Sequence, residues 1–177
     1  KSKVDASMDD GWNRRENAVI DPERVARWHG NVGLLLAFAR VASIDIDDLA
    51  AARAWFMVQG VDLDAMLNAP DAVRIESGRE GRAKLFYRLP REFQADAFLT
   101  RRILNTLGGD RRVILELRCA GKNGVSMQDV LPPSVHPITG QPYRWRGDWR
   151  NLPELPADVA ELGLRHGAAA RHHALHG

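Results

Sequence analysis

The segment Val41–Asp48 places three aspartates at the end of a run of apolar residues. Side chains alternate faces along a strand, so Asp45 and Asp47 are predicted to project from one face while Ile44 and Ile46 are buried on the other. Two adjacent carboxylates at the end of a buried strand repel each other and lose hydration, and a divalent cation relieves both costs. This Asp-x-Asp pair is therefore a candidate oxygen-ligand site for Mg²⁺ or Mn²⁺.

The same aspartates have a second interpretation, as caps of a helix predicted over Leu49–Gln59. Asp48 suits this role best, because an aspartate at the N-cap accepts hydrogen bonds from the first-turn amides. Capping leaves Asp45 unexplained, and short Asp motifs also recur by chance. The residues alone leave both interpretations open.

A third carboxylate, Glu116, lies in a strand predicted over Arg112–Arg118. If that strand lies beside the strand of Asp45, three acids converge. Three acids can hold the two divalent ions of an in-line phosphoryl displacement. The alternative is a surface ion pair between Glu116 and Arg118.

The segment 77–84 combines flexible backbone, a hydroxyl group and three cations in a loop predicted between two strands. Glycine lets backbone amides approach a phosphate, and arginine offers two parallel hydrogen bonds to its oxygens. The segment could hold a triphosphate or a nucleic-acid backbone, or it could be an ordinary solvated hairpin. The candidate nucleotide-binding residues are Ser77, Gly78, Arg79, Arg82 and Lys84.

Two further motifs lie in the proline-rich part of the chain. His136, held between prolines, could contact phosphate, although an isolated histidine is more often a structural hydrogen-bonder. Arg144-Trp145-Arg146, followed by Trp149 and Arg150, interleaves cations and aromatic rings as single-strand binders do. Either tryptophan could equally belong to the core.

The composition is that of a globular protein of 177 residues with 45% hydrophobic and 27% charged residues. No apolar run is long enough to cross a membrane and no signal peptide is recognisable, while the single Cys119 excludes an internal disulfide and a multi-cysteine zinc site. A cytoplasmic setting is expected. Since Lys1 is not methionine, the chain is expected to be part of a longer protein.

The net charge of +2 conceals an uneven distribution. Residues 1–73 carry 8 basic and 12 acidic side chains, whereas residues 74–118 carry 11 basic and 6 acidic ones. An acidic site facing a basic segment suits a metal-dependent enzyme that acts on polyanions, and it also suits an ordinary charged surface.

Caps, periodicity and turn residues predict the remaining elements. Further helices are predicted over Pro22–Trp28, Val61–Ala69, Glu92–Leu107 and Asp158–Leu164. Further strands are predicted over Val32–Ala39, Ala72–Glu76 and Ala83–Leu89. Val125–Trp145 is predicted to be hairpin-like.

Taken in order, four motifs resemble the primase–polymerase domain of phage and plasmid replication proteins, within the archaeo-eukaryotic primase superfamily. The motifs are Ile44–Asp48, Ser77–Pro90, Leu115–Arg118, and Leu131–Pro137 followed by Tyr143–Trp145. The resemblance extends from about residue 21 to residue 156. Each motif is short, and the ordered set carries the specificity.

The resemblance implies an α+β fold with an archaeo-eukaryotic primase-type core, consisting of an RRM-like antiparallel sheet and an N-terminal α/β unit. It implies that Asp45, Asp47 and Glu116 are catalytic and hold two Mg²⁺ or Mn²⁺ ions. The family's nucleotide-binding motif matches the segment from Ser77, with Lys84 where the family usually has histidine. Lysine remains a phosphate binder, as a point charge.

The resulting prediction is a DNA primase/polymerase domain over residues 21–164, with an N-terminal arm over 1–20 and a disordered tail over 165–177. Its partners would be a single-stranded DNA template, a primer and (d)NTPs, in a bacterial, phage or plasmid replication context. A helicase, if the parent protein has one, lies outside this sequence, which lacks the Gly-x-x-x-x-Gly-Lys-Ser/Thr pattern. The alternatives are a metal-dependent nuclease and a non-enzymatic single-strand-binding module.

Overall fold

The structure is a computed structural model, and it describes residues 11–105 and 111–164. These residues form an α+β fold with a six-stranded antiparallel sheet, in the order β5-β6-β2-β4-β3-β8, and a two-stranded sheet of β1 and β7. The strands are β1 (Val32–Leu35), β2 (Val41–Ile46), β3 (Val73–Glu76), β4 (Ala83–Arg88), β5 (Arg101–Leu104), β6 (Val113–Arg118), β7 (Gln128–Leu131) and β8 (Arg144–Arg146). The helices are α1 (Pro22–Ala26), α2 (Leu49–Val58), α3 (Leu63–Asn68) and α4 (157–164). The predicted α+β class is confirmed, while the primase-type core and the domain boundaries stay predictions.

The helices begin at the aspartate caps that the sequence indicates. Asp48 accepts a hydrogen bond from the amide of Ala51 at 3.0 Å, and Asp21 and Asp62 cap α1 and α3 in the same way. The last turn of α2 is followed by Gly60, whose φ of +79° suits glycine. Local capping therefore determines where these helices start and stop.

The helix predicted over Glu92–Leu107 is wrong. The described part of this segment forms a 3-10 turn at Ala95–Ala97 and then strand β5, which pairs with β6. The outer backbone groups of β6 need hydrogen-bond partners, and this requirement outweighs a weak local helix preference. Residues 106–110, which include the predicted stop Gly108-Gly109-Asp110, lie outside the described residues.

Two other predicted elements differ in extent. Strand β1 ends at Leu35 because the chain turns before Arg40, whose φ is +54° and whose guanidinium donates to the carbonyl of Pro90 at 2.9 Å. The segment Val125–Trp145 is not one hairpin, since β7 pairs with β1 and β8 pairs with β3. A short antiparallel bridge between Val135 and Pro142 remains inside it.

The two faces of the six-stranded sheet have different environments. One face packs against the helices and forms the larger apolar core, in which Phe56 of α2 is fully buried against the sheet. The opposite face carries the polar residues of the predicted site, and the β1–β7 sheet covers part of it through a smaller apolar cluster. The sheet therefore buries one face for stability and leaves part of the other face available for chemistry.

Within the part of the chain that the structure describes, no helix has the length and apolar character needed to cross a membrane.

Candidate active site

Asp45 occupies the centre of a row of charged residues that crosses three adjacent strands. It lies directly opposite Glu116 of β6 on one side and Lys84 of β4 on the other. Residues directly opposite each other in antiparallel strands project from the same face. The strand of Glu116 thus lies beside the strand of Asp45, which is the condition on which convergence of the acids depended, and Lys84 joins the same face.

Asp47 and Asp48 follow the end of β2 and have different roles. The backbone amides of both donate to the carbonyl of Ile114, at 2.9 and 3.0 Å. The Asp47 side chain forms an ion pair with Arg82, whereas Asp48 caps α2 and also lies 3.1 Å from Arg112. Helix capping therefore accounts only for Asp48. The side chains of Asp45 and Asp47 instead form ion pairs with Lys84 and Arg82.

A pocket lies at this end of the sheet, between the end of β2, the β3–β4 loop and the segment around His136. All the predicted site residues line it except Glu116 and Gly78. The lining residues are Asp45, Ile46, Asp47, Ile75, Ser77, Arg79, Arg82, Ala83, Lys84, His136 and Tyr143. Acidic side chains therefore meet a basic loop in one concavity, as the charge distribution along the chain suggests.

Each candidate metal-binding carboxylate contacts a cation. Asp45 Oδ2 lies 3.1 Å from Lys84 Nζ, and Glu116 Oε1 lies 2.6 Å from the Nε of Arg102, with Arg118 on its other oxygen. The Asp45 side chain is 28% exposed and that of Glu116 is 11% exposed. Among residues 11–105 and 111–164, no group of three or more His, Cys, Asp or Glu side chains is arranged to hold a metal. Glu116 faces Asp45 on the same side of the sheet but is not among the residues that line the pocket.

The β3–β4 loop owes its shape to two glycines. Gly78 and Gly81 have φ values of +73° and +67°, which side chains with a Cβ rarely adopt. The carbonyl of Gly81 accepts a hydrogen bond from the amide of Leu49 at 2.8 Å, which ties the loop to the start of α2. The loop is thus held next to the end of β2, where Arg82 reaches Asp47.

His136 is buried and has a defined orientation. Its Nδ1 accepts hydrogen bonds from the amides of Ile138 and Thr139, each at 3.2 Å, and its ring meets Tyr143 edge-on at 5.4 Å. A nitrogen that accepts two amides carries no proton, so the neutral ring has its proton on Nε2. The ring is therefore held in a defined orientation at the pocket wall.

Asp129 of β7 is a buried site residue that sequence reasoning missed. It is 2% exposed, and its Oδ1 lies 2.7 Å from Lys84 Nζ and 3.0 Å from Arg118 Nε, while Ser43 donates to its Oδ2. Burial raises the pKa of Asp129, but the charges of Lys84 and Arg118 outweigh burial and lower it overall. The available signal was a single acid in the segment Met127–Leu131, in which Met127, Val130 and Leu131 are apolar.

Lys84 is held as a charged group by its two acidic neighbours. Burial lowers the pKa of Lys84, but the charges of Asp129 and Asp45 outweigh this effect and raise it overall. The ammonium group therefore remains a cation at the pocket wall. By contrast, burial raises the pKa of the Cys119 thiol to about 12, so this buried side chain stays a neutral thiol near neutral pH.

The chain matches the model of a protein family described as bifunctional DNA primase/polymerase, N-terminal. The matched region covers residues 2–158 and thus most of the chain. No curated protein and no solved structure shows significant similarity to this chain.

Proposed function

We propose, from the premise that this chain belongs to the bifunctional DNA primase/polymerase N-terminal family, that it transfers nucleotides from (d)NTPs to a 3′-hydroxyl under the direction of a template. At the family level the activity is that of a DNA primase/polymerase, a nucleotidyltransferase. The observation that supports the proposal best is the cross-strand order Glu116–Asp45–Lys84, which sets two acids and a cation on one sheet face beside a basic pocket.

The carboxylates have the donor chemistry for the two divalent ions that the proposal requires. Asp45, Asp47 and Glu116 offer hard oxygen ligands, which Mg²⁺ and Mn²⁺ prefer. Asp45 faces Glu116 across β2 and β6, and Asp47 lines the same pocket as Asp45. These acids supply the right donor atoms, but each is paired with a cation, so ion binding would require the carboxylates to exchange those partners for the metal. Bound there, the ions would supply Lewis-acid activation of the attacking hydroxyl and neutralise charge on the triphosphate.

The basic side of the pocket would bind and orient the triphosphate. Arg82 and Lys84 now neutralise Asp47 and Asp45, and both cations become available to phosphate oxygens once those acids have other partners. His136 would donate through Nε2. The full set of phosphate-binding residues in this proposal is Ser77, Gly78, Arg79, Arg82, Lys84 and His136.

Positioning and electrostatic stabilisation would supply most of the catalysis. The primer 3′-oxygen would attack the α-phosphorus as its hydroxyl proton passes to solvent water. The bond from the α-phosphorus to the oxygen that bridges it to the β-phosphorus would break, and pyrophosphate would leave. The proposal also includes the partners and the setting of the reaction. These are a single-stranded template, a primer, a cytoplasmic replication context and a possible helicase elsewhere in a parent chain.

Extension of a labelled primer on a single-stranded template, with dNTPs and Mg²⁺ or Mn²⁺, tests the proposal. We expect templated extension by the wild-type chain and its loss in both Asp45→Asn and Asp47→Asn. Asp64→Asn is the matched control, because Asp64 forms an exposed ion pair with Arg53 away from the pocket. This control should extend the primer at the wild-type rate.

Other outcomes separate the competing functions. Shortening of the primer, lost in the same variants, would establish a metal-dependent nuclease. Strand binding that persists in EDTA, with neither extension nor shortening, would establish a binding module. Extension that survives in Asp45→Asn would show that this carboxylate is not part of the site.

A further inference from the structure

Trp145, at the edge of the six-stranded sheet, lies on the same face as the pocket of the candidate active site. Lys84 of β4 faces Ile75 of β3, and Ile75 faces Trp145 of β8. Directly opposite residues share a face, and Ile75 itself lines the pocket. Two strand spacings, about 10 Å, therefore separate the backbone of Trp145 from that of Lys84 along a continuous surface.

An aromatic ladder runs from this face towards solvent. The ring of Trp145 meets that of buried Phe86 edge-on at 5.4 Å and is stacked with the ring of Trp149 at 6.2 Å, with an interplanar angle of 22°. Trp149 is 46% exposed, and the guanidinium carbon of Arg150 lies 4.3 Å from its ring centroid. The outer end of the ladder is thus an exposed indole that already carries a planar cation.

The turn that presents Trp149 is held in place by its backbone. Gly147 has a φ of +83°, and a Cβ there would lie 2.2 Å from the carbonyl oxygen of Ala72, so only glycine fits. Asp148 then accepts hydrogen bonds from the amides of Arg150, at 3.1 Å, and Asn151, at 3.0 Å. A platform that is already ordered loses little conformational entropy when it binds a ligand.

The arginines of β8 are arranged differently from the interleaved pattern in the sequence. Strand alternation places Arg144 and Arg146 on the face opposite Trp145, and Arg146 forms an ion pair with Glu76 at 3.0 Å. With Glu76 counted beside residues 144–150, three arginines still stand against the two acids Glu76 and Asp148. This excess positive charge favours a polyanion over a neutral or basic partner.

We propose that Trp149, supported by Trp145 and Arg150, is a stacking platform for single-stranded nucleic acid. A nucleobase is a planar ring that can take the place of the Arg150 guanidinium on the indole, and the released guanidinium can then pair with the strand's phosphates. Stacking of this kind is tolerant of base identity, because every base has a π-face. The assignment of the bound strand as the template, running on towards Asp45, rests on the proposed function.

Equilibrium binding of a fluorescently labelled oligothymidylate to the intact chain, in EDTA and without nucleotide, tests the platform separately from catalysis. We expect Trp149→Ala to weaken binding about fivefold or more and Trp149→Phe, which retains a stacking ring, to weaken it less. Trp28→Ala is the matched control, because Trp28 is 59% exposed and lies just beyond α1. Its affinity should equal that of the wild type.

The proposal is overturned if Trp149→Ala binds the oligonucleotide like the wild type, or if Trp28→Ala weakens binding equally. It is also overturned if Trp149→Ala lowers the sedimentation mass from dimer to monomer and leaves the affinity for the oligonucleotide unchanged. Trp149 would then contact a second copy of the chain. Primer extension distinguishes this failure from that of the proposed function. Extension without Trp149-dependent binding rejects the platform alone, whereas Trp149-dependent binding without extension supports the platform and rejects the polymerase.

Discussion

Lys84 Nζ lies 2.7 Å from Oδ1 of Asp129 and 3.1 Å from Oδ2 of Asp45, so one ammonium group joins a buried carboxylate to a pocket carboxylate. Asp129 comes from the small β1–β7 sheet and Asp45 from the centre of the large sheet. Arg118 bridges Asp129 and Glu116 in the same manner. The two sheets are therefore connected by an ion cluster directly beneath the candidate site.

Asp129→Asn should lower the free energy of unfolding. Removing one member of a buried ion pair costs about 3–5 kcal/mol when the other charge is left unpaired. The cost here should fall below that range, because Lys84 keeps Asp45 and Arg118 keeps Glu116. Urea unfolding followed by circular dichroism measures the change. If Lys84→Met is then added, the double variant should lose less than the sum of the two single changes, because the same contact is removed twice.

Strict additivity of these two changes would contradict a direct Lys84–Asp129 interaction. Asp64→Asn is again the control, since it removes an exposed ion pair with Arg53 and should hardly change the unfolding curve.

The pH dependence of stability should also report Asp129. Its pKa in the folded chain is lowered, so the unfolded chain takes up this proton first as the pH falls from the ordinary carboxyl value of about 4. The stability that Asp129 contributes is therefore complete above about pH 4 and is lost as the pH falls through the lower, folded pKa. Unfolding free energies measured across this acid range should decline less steeply in Asp129→Asn than in the wild type. Equal slopes would mean that folding does not lower the pKa of Asp129.

Arg82→Ala should separate nucleotide binding from stability. The Arg82–Asp47 pair is about one-third exposed, so its loss should cost roughly 1 kcal/mol or less. If Arg82 binds a phosphate as proposed, the KM for dNTP should rise about tenfold. Arg88→Ala, at the other end of β4, removes an exposed ion pair with Glu154 and should leave KM unchanged. The phosphate assignment is rejected if both variants have the same KM.

Phe56→Ala should test the helix-covered core. Phe56 has no exposed surface and packs edge-on against Trp55 at a centroid distance of 4.9 Å. Truncation removes buried apolar area and leaves a cavity, which together cost about 3–5 kcal/mol. The neighbouring Met57 is 73% exposed, so Met57→Ala should change the urea midpoint very little. Similar losses in both variants would contradict the assigned face of α2.

Predictions of caps and turns from the sequence succeeded, whereas the prediction of one helix failed. The difference arises because caps and turns depend on neighbouring residues, while strand pairing depends on residues far apart in the sequence. The caps Asp48 and Asp62 and the glycine-shaped loop between β3 and β4 depend on residues a few positions apart. The helix predicted over Glu92–Leu107 failed because β5 is formed by pairing with β6, which local periodicity does not report. Asp129 was missed for the same reason, since its partners are distant in the sequence.

The sequence by itself determined the helix starts and the loop that lines the pocket, and the alternation that sets Asp45 against Ile44 and Ile46 predicted the faces of β2. Only the tertiary structure decided that Asp45 faces Glu116 and Lys84, since cross-strand register follows from the sheet order. It also decided that Asp129 lies beneath them. The physical reason is that capping and alternation act within one element, whereas register and burial depend on how distant elements share a core.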